Sequence, residues 1–215
     1  MTRRLPRRDG RLICLVAMSL LFPTACSGAM NSQPSPSFVP NPEPRQAYTL
    51  TVRIQGAPGP LEVVASAAQY DVRNTECLPP PKDNPDGRTA PVPTRDLPIA
   101  LQRISDNEYR GTFYADGMLD QELYGRGVCH WALIQAQVQL KATGAAGETR
   151  FIAKIGGDEL GQASSKTKAF HYWKERYPRD AGYEDYPDYG QGDLQQVPAD
   201  KREDFFEVSL TAKEA

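Results

Sequence analysis

The chain has 215 residues, with 25 basic and 27 acidic side chains, two histidines, four cysteines and a hydrophobic share of 40%. That length suffices for one domain with its own core. The slightly acidic balance lacks the electrostatic footprint of a nucleic-acid binder, and two histidines argue against a histidine-rich metal site.

The N-terminus is the most informative stretch. Arg3, Arg4, Arg7, Arg8 and Arg11 precede an apolar run from Leu12 to Phe22, followed by Pro23-Thr24-Ala25-Cys26-Ser27-Gly28. A basic start, a short apolar run and small residues before a cleavage point predict a secretory signal peptide over 1–25. The run is too short to span a bilayer, which takes about 20 residues. Thr24-Ala25-Cys26 resembles a bacterial lipobox, in which the cysteine is lipidated and becomes the first mature residue. Pro23 stands where such boxes usually carry leucine; the alternative is ordinary cleavage after Ala29. The Arg3-Arg4 pair is followed by Pro6 and Arg7, where a twin-arginine signal would turn apolar. Ser27 in place of aspartate after the cysteine points, by the same resemblance, to an outer-membrane lipid anchor facing the periplasm. Removal of 1–25 takes away five arginines and one aspartate, leaving 20 basic and 26 acidic side chains, a net charge of −6.

Residues 26–46 form the next unit. Five prolines (Pro34, Pro36, Pro40, Pro42, Pro44) among serines predict an extended linker without a core. The domain itself is expected over 47–215. Leu50, Val52 and Ile54 alternate with polar residues. In 61–72, Val64, Ala68, Tyr70 and Val72 fall on one face, and Leu97, Ile99 and Leu101 alternate again. Tyr109 and Phe113 follow the turn signal Ser105-Asp106-Asn107. The longest alternation puts Ala132, Ile134, Ala136, Val138, Leu140 and Ala142 opposite Leu133, Gln135, Gln137, Gln139 and Lys141. It predicts one long strand with a single buried face. Phe151–Ile155 returns after a glycine turn, and Phe206, Val208 and Leu210 make a last strand. The stretch 165–177 fits either a helix or a strand, and 198–204 fits one or two helical turns after Pro198. Seven strands with turn-rich connections predict an all-β fold, a single β-sandwich of immunoglobulin-like strand count with at most one or two short helices.

Cysteine usage fits this compartment. Cys14 leaves with the signal and Cys26 carries lipid, so Cys77 and Cys129 remain in an oxidising environment and predict one disulfide. It closes a loop worth roughly 4 kcal/mol on the chain-entropy model. Two free thiols are the alternative; a zinc pair lacks any CxxC or HxxxH partner.

Candidate sites are few. No GxSxG, SxxK, HExxH or phosphate-binding loop is read in the chain, so no enzymatic activity and no cofactor is expected. His130 reads as a general base or as a strand-end histidine beside a disulfide. Asp116, Asp120 and Glu122 offer three carboxylates within seven residues. They are a weak calcium candidate, calcium being a hard cation that takes oxygen ligands; otherwise they line an acidic connection. Gly125 and Gly127 flank and expose Arg126. Seven of the 19 aromatics fall in 170–189, including Tyr172, Trp173, Tyr177, Tyr183, Tyr186 and Tyr189. Aromatic and arginine side chains carry much of the binding energy at interfaces. This segment, with the 116–126 loop beside it, is therefore the expected partner-binding surface, for a protein or for sugar rings. The competing reading folds the aromatics back over an open sheet edge.

Thr24-Ala25-Cys26, the proline spacer and Tyr124-Gly125-Arg126-Gly127-Val128-Cys129-His130-Trp131 together resemble small uncharacterised lipoproteins of Gram-negative bacteria. Some of these are of the immunity-protein type, which protects a cell from secreted antibacterial effectors acting in the periplasm. The resemblance covers layout and carries no functional residue over. It implies a membrane-anchored, periplasm-facing, non-enzymatic protein-binding or inhibitor module. The alternative it leaves is a structural or envelope-assembly lipoprotein that binds glycan or another envelope protein.

Overall fold

Strict alternation of apolar and polar residues makes strands that bury one face, and two such faces need each other. The computed structural model describes residues 37–81, 92–161 and 164–215. The expected signal segment 1–25, the expected lipidation site Cys26 and the spacer up to residue 36 lie outside the described residues. The described strands are β1 (Ala47–Gln55), β2 (Glu62–Val72), β3 (Thr94–Pro98), β4 (Gln102–Ser105), β5 (Glu108–Tyr114), β6 (Gln121–Glu122), β7 (Val128–Cys129), β8 (Trp131–Lys141), β9 (Arg150–Gly156), β10 (Ser165–Trp173), β11 (Pro187–Asp188) and β12 (Phe205–Glu214). One sheet runs β10-β12-β1-β5-β4 and the other β11-β9-β8-β2-β3, with β6 and β7 as a separate hairpin. Only the short β11–β9 pairing is parallel among the described strands.

The two sheets form a sandwich around one core. Leu50, Val52 and Ile54 of β1 and Phe206, Val208 and Leu210 of β12 meet Val138 and Leu140 of β8 and Phe151, Ala153 and Ile155 of β9. Each Val, Leu, Ile or Phe side chain among these contributes about 1.5–3 kcal/mol on burial. Cys77 and Cys129 are joined as a disulfide with Cα atoms 5.3 Å apart. The bridge packs on Val72, Leu123 and Trp131 in a small satellite cluster.

Two β-bulges reverse the face assignments read from the sequence. Register shifts lie between Val63 and Ala65 and between Gln69 and Tyr70. Val64 is the extra residue in the first; Ile134 is the extra one in the second, because Gln135 pairs with Gln69 and Leu133 with Tyr70. An added residue inverts a period-two pattern from that point on. Val64 and Ile134 therefore face solvent, while Val63, Leu133 and Trp131 turn towards the core. Leu97, Ile99 and Leu101 do all reach the core, but in a crossing between sheets, since β3 ends at Pro98 and β4 starts at Gln102. The ambiguous 165–177 stretch is strand β10, in nine-residue register with β12, followed by a 3-10 turn at Lys174–Arg176. The segment Ala199–Asp204 is a 3-10 turn capped by Pro198.

The linker boundary also moves. Residues 37–46, read as spacer, lie docked on the connection 115–121. Ala115 N–H donates to the Gln46 carbonyl, Asn41 N–H to Gly117 and Leu119 N–H to Val39, at 2.8, 2.8 and 3.0 Å. The Asp116 carboxylate accepts from the backbone N–H of Arg45 and Gln46 at 2.8 and 3.0 Å. Phe38 meets Trp131 edge-on at 5.5 Å, with the Arg95 guanidinium 3.8 Å from its ring centroid. Backbone groups that prolines leave free thus find partners, and the strap crosses one end of the sandwich from β5 to β8.

Candidate functional site

The other end of the sandwich carries the aromatic segment, and its turns are fixed by charge. After β10 the chain turns at Lys174–Arg176, and Thr149 holds this turn. Its hydroxyl donates to the Arg176 carbonyl at 2.7 Å and its N–H to Pro178 at 3.0 Å. Arg176 is the hub. Its Nη1 donates to Asp188 at 2.9 Å, its Nε faces Asp180 at 3.5 Å, and the guanidinium lies 4.7 Å from the Tyr186 ring centroid. Burial works against the Arg176 charge, but Asp188, Tyr186 and Asp180 outweigh it and raise its pKa. At the loop tip, Asp185 adopts φ 51° and accepts from Lys141 Nζ at 2.7 Å and from Gly147 N–H at 3.2 Å. The Lys141 hydrogen bond holds the Asp185 carboxyl below its ordinary range, against a smaller desolvation effect. Asp188 then accepts from Gly190 N–H at 2.9 Å. Gln191 and His171 exchange backbone hydrogen bonds of 2.8 and 2.9 Å. Through β11 and Gln191 the segment pairs with β9 of one sheet and β10 of the other, so it closes this side of the sandwich.

The six aromatics named from the sequence separate by location. Tyr172 is buried between Phe151 and Phe206, its hydroxyl donating to Ile152 at 2.7 Å. Burial pushes that hydroxyl's pKa well above the usual range. Tyr172 is therefore core, as the period-two alternation of β10 requires, and not part of a binding surface. Tyr177 is half-buried and donates to the Pro60 carbonyl at 3.0 Å. Tyr186 lies half-buried between Arg176 and Tyr183. Tyr183 and Tyr189 stand out, 69% and 57% exposed.

Trp173 lines a cleft of about 480 Å³ together with His171, Gln191, Gln196, Lys201 and Phe205. The Trp173 and Phe205 ring centroids are 5.1 Å apart at 47°. The sequence reading missed the wall made by 194–205; its signal was the pair of proline and aromatic residues, Pro198 and Phe205, flanking a helical turn. His171 reaches Glu207 through Nε2 at 3.3 Å and the Gln191 carbonyl through Nδ1 at 3.0 Å. The arrangement offers an aromatic platform, amides and a lysine, which is binding chemistry.

The 116–126 loop is not beside this segment. Asp120 bonds His130 Nδ1 at 2.7 Å and Trp131 N–H at 2.8 Å, at the start of β8. Asp185 bonds Lys141, at the end of the same strand. Ten residue steps at about 3.3 Å place the two loops roughly 33 Å apart. Arg126 is exposed at the far end too, against Tyr124 and the Pro79–Pro81 run.

The three carboxylates proposed for calcium do not converge. Asp116 caps the strap, Asp120 holds the start of β8 and Glu122 is exposed on β6. Among the described residues no group of three or more His, Cys, Asp or Glu side chains is placed to hold a metal. The three carboxylates thus stand in separate structural settings rather than at one shared cation site.

The exposed His130–Asp120 pair has the form of a base with its orienting carboxylate. Among the described residues, however, no hydroxyl or thiol hydrogen-bonds the ring. A spacing missed in the sequence, Ser165-Lys166-Thr167-Lys168, fits the S-x-x-K pattern of acyl-enzymes. It lies on β10, where residues three apart project to opposite faces, and Lys168 pairs with Glu159 at 3.2 Å. Comparison of the chain with family models, curated proteins and solved structures finds no match.

Proposed function

We propose that this protein is a periplasm-facing lipoprotein, anchored through Cys26, that works as a non-enzymatic protein-binding or inhibitor module. An immunity protein against a secreted antibacterial effector is the form this reading takes. One observation carries it. Tyr183 and Tyr189 are exposed on a loop that is itself pinned by Lys141–Asp185, Arg176–Asp188 and Arg176–Tyr186. Ordering a loop on binding costs affinity, so exposed aromatics on a pre-ordered loop suit recognition. A second reading, an envelope-assembly lipoprotein that binds glycan, is favoured by Trp173 beside Gln191 and Gln196 in the cleft.

A photo-crosslinking residue at 183, 189 or 173 in the anchored protein separates these readings. Position 112, exposed on β5, serves as the control. A discrete protein adduct at 183 and 189 supports the first reading, and a sugar adduct at 173 the second. Adducts of equal yield at 112 sink both.

A further inference from the structure

The strap has a consequence for how the domain sits. Its first described residue, Ser37, lies at the end of the sandwich opposite the tyrosine loop, where its carbonyl accepts from the Gln121 side chain at 2.7 Å. Ten residues, 27–36, separate it from Cys26. That same end exposes aliphatic side chains: Val39 at 40%, Leu119 at 38% and Val128 at 45%. Val39 and Leu119 are joined through the backbone, and Val128 sits on the β6–β7 hairpin that follows. Arg45, Arg73 and Arg126 are exposed at this end, as are Glu43, Glu76, Glu122 and Asp120.

From these placements we infer that the Val39–Leu119–Val128 end rests on the phospholipid surface and points Tyr183 and Tyr189 away from it. The inference rests on the lipid anchor at Cys26. Chain length argues for it. Eleven peptide steps from Cys26 to Ser37 reach at most about 40 Å fully extended. The strand β8 alone separates the two ends by roughly 33 Å, and loops extend past both. Turning the tyrosine end to the membrane would need the spacer stretched along the whole flank. With the strap end down, no such stretch is needed, and three aliphatics leave water for the interfacial layer. The mixed charge around them suits a zwitterionic headgroup layer: arginines meet phosphates and glutamates meet amines. A surface without strong net charge would add little attraction to anionic lipid. The occupant is therefore the bilayer that holds the anchor.

Hydroxyl-radical footprinting of the mature protein, one copy per phosphatidylethanolamine-containing nanodisc, tests this without a reference state. Val64, at 41% exposure, lies near the tyrosine end and matches Val39 and Val128 in type and accessibility. Oxidation of Val39 and Val128 several-fold below that of Val64, with Tyr183 and Tyr189 freely oxidised, is the expected result. The substitution Val128→Asp is expected to keep the protein in the disc and bring Val39 oxidation up to that of Val64. Equal oxidation of all three valines in a protein whose mass shows lipid on Cys26 overturns the seating and leaves the anchor standing. A mature protein without lipid at Cys26 overturns both. Protection at Tyr183 and Tyr189 instead would invert the orientation and refute the inference.

Discussion

Lys141 Nζ and Asp185 Oδ1 lie 2.7 Å apart, joining the end of the central strand β8 to the tip of the tyrosine loop. The lysine is nearly buried and the aspartate half-exposed, so the pair ties an exposed loop to a buried strand end. Asp185→Asn keeps a residue tolerant of positive φ and removes the charge. Faster amide hydrogen exchange is expected at Gly147 and across 183–189, with β8 unchanged. Exchange rates that stay at the wild-type level would show that the pair does not order the loop.

The tyrosines differ in what they support. Tyr183→Ala and Tyr189→Ala remove exposed rings and should leave the denaturation midpoint close to wild type. Tyr172→Ala opens a cavity between Phe151 and Phe206 and should cost about 3–5 kcal/mol, the range for buried aromatic truncations. Equilibrium urea unfolding measures both. A large loss for Tyr183→Ala would make that ring structural and remove it from the binding face.

Glu148 gives the sandwich an acid-sensitive corner. It is buried, which alone would raise its pKa. Its carboxylate accepts from Thr143 N–H, Thr143 hydroxyl and Gly144 N–H at 2.9, 2.7 and 3.1 Å, and these bonds hold the pKa below the ordinary value. A carboxylate depressed on folding stabilises the fold fully above its unfolded pKa of about 4.3, and this contribution fades as pH drops through the lower folded value. Melting temperature against pH should therefore fall less steeply on the acid side for Glu148→Gln than for wild type, from a lower plateau at neutral pH. Parallel acid limbs would exclude Glu148 as a source of acid sensitivity.

The proposed anchor has a direct chemical assay. Metabolic labelling with a palmitate analogue should mark the wild-type protein and fail on Cys26→Ser. Label of equal strength on both, or release of both as soluble protein, refutes lipidation at Cys26.

Period-two alternation made the strands legible, because one buried face leaves a regular trace in sequence. It failed at Val64 and Ile134, because a bulge adds a residue without any composition signal of its own. The disulfide was legible from the signal-like N-terminus and the cysteine number. The strap was not, because proline-rich sequence looks alike whether it is solvated or docked; distant contacts such as the Asp116 carboxylate, 70 residues from Gln46, distinguish them. The aromatic cluster was visible as a cluster. Which rings turn inward depended on whether 165–173 is strand or helix, and pairing with β12 decides that. The separation of Arg126 from this segment is a matter of topology: both border β8, at opposite ends.

The strap also determines how the molecule bears load. A protein held by its N-terminus and gripped at the tyrosine end is pulled along the strand axis, while residues 37–46 cross that axis. Tension therefore peels the strap, first at Ser37–Gln121, then at Val39–Leu119, Asn41–Gly117 and Arg45–Asp116. Behind it, β1 is clamped between β5 and β12 and would have to slide past both at once. Single-molecule extension should show a small, low-force lengthening before the sandwich ruptures. In that measurement the strap is expected to behave as a mechanical fuse that yields slack before the core is stressed.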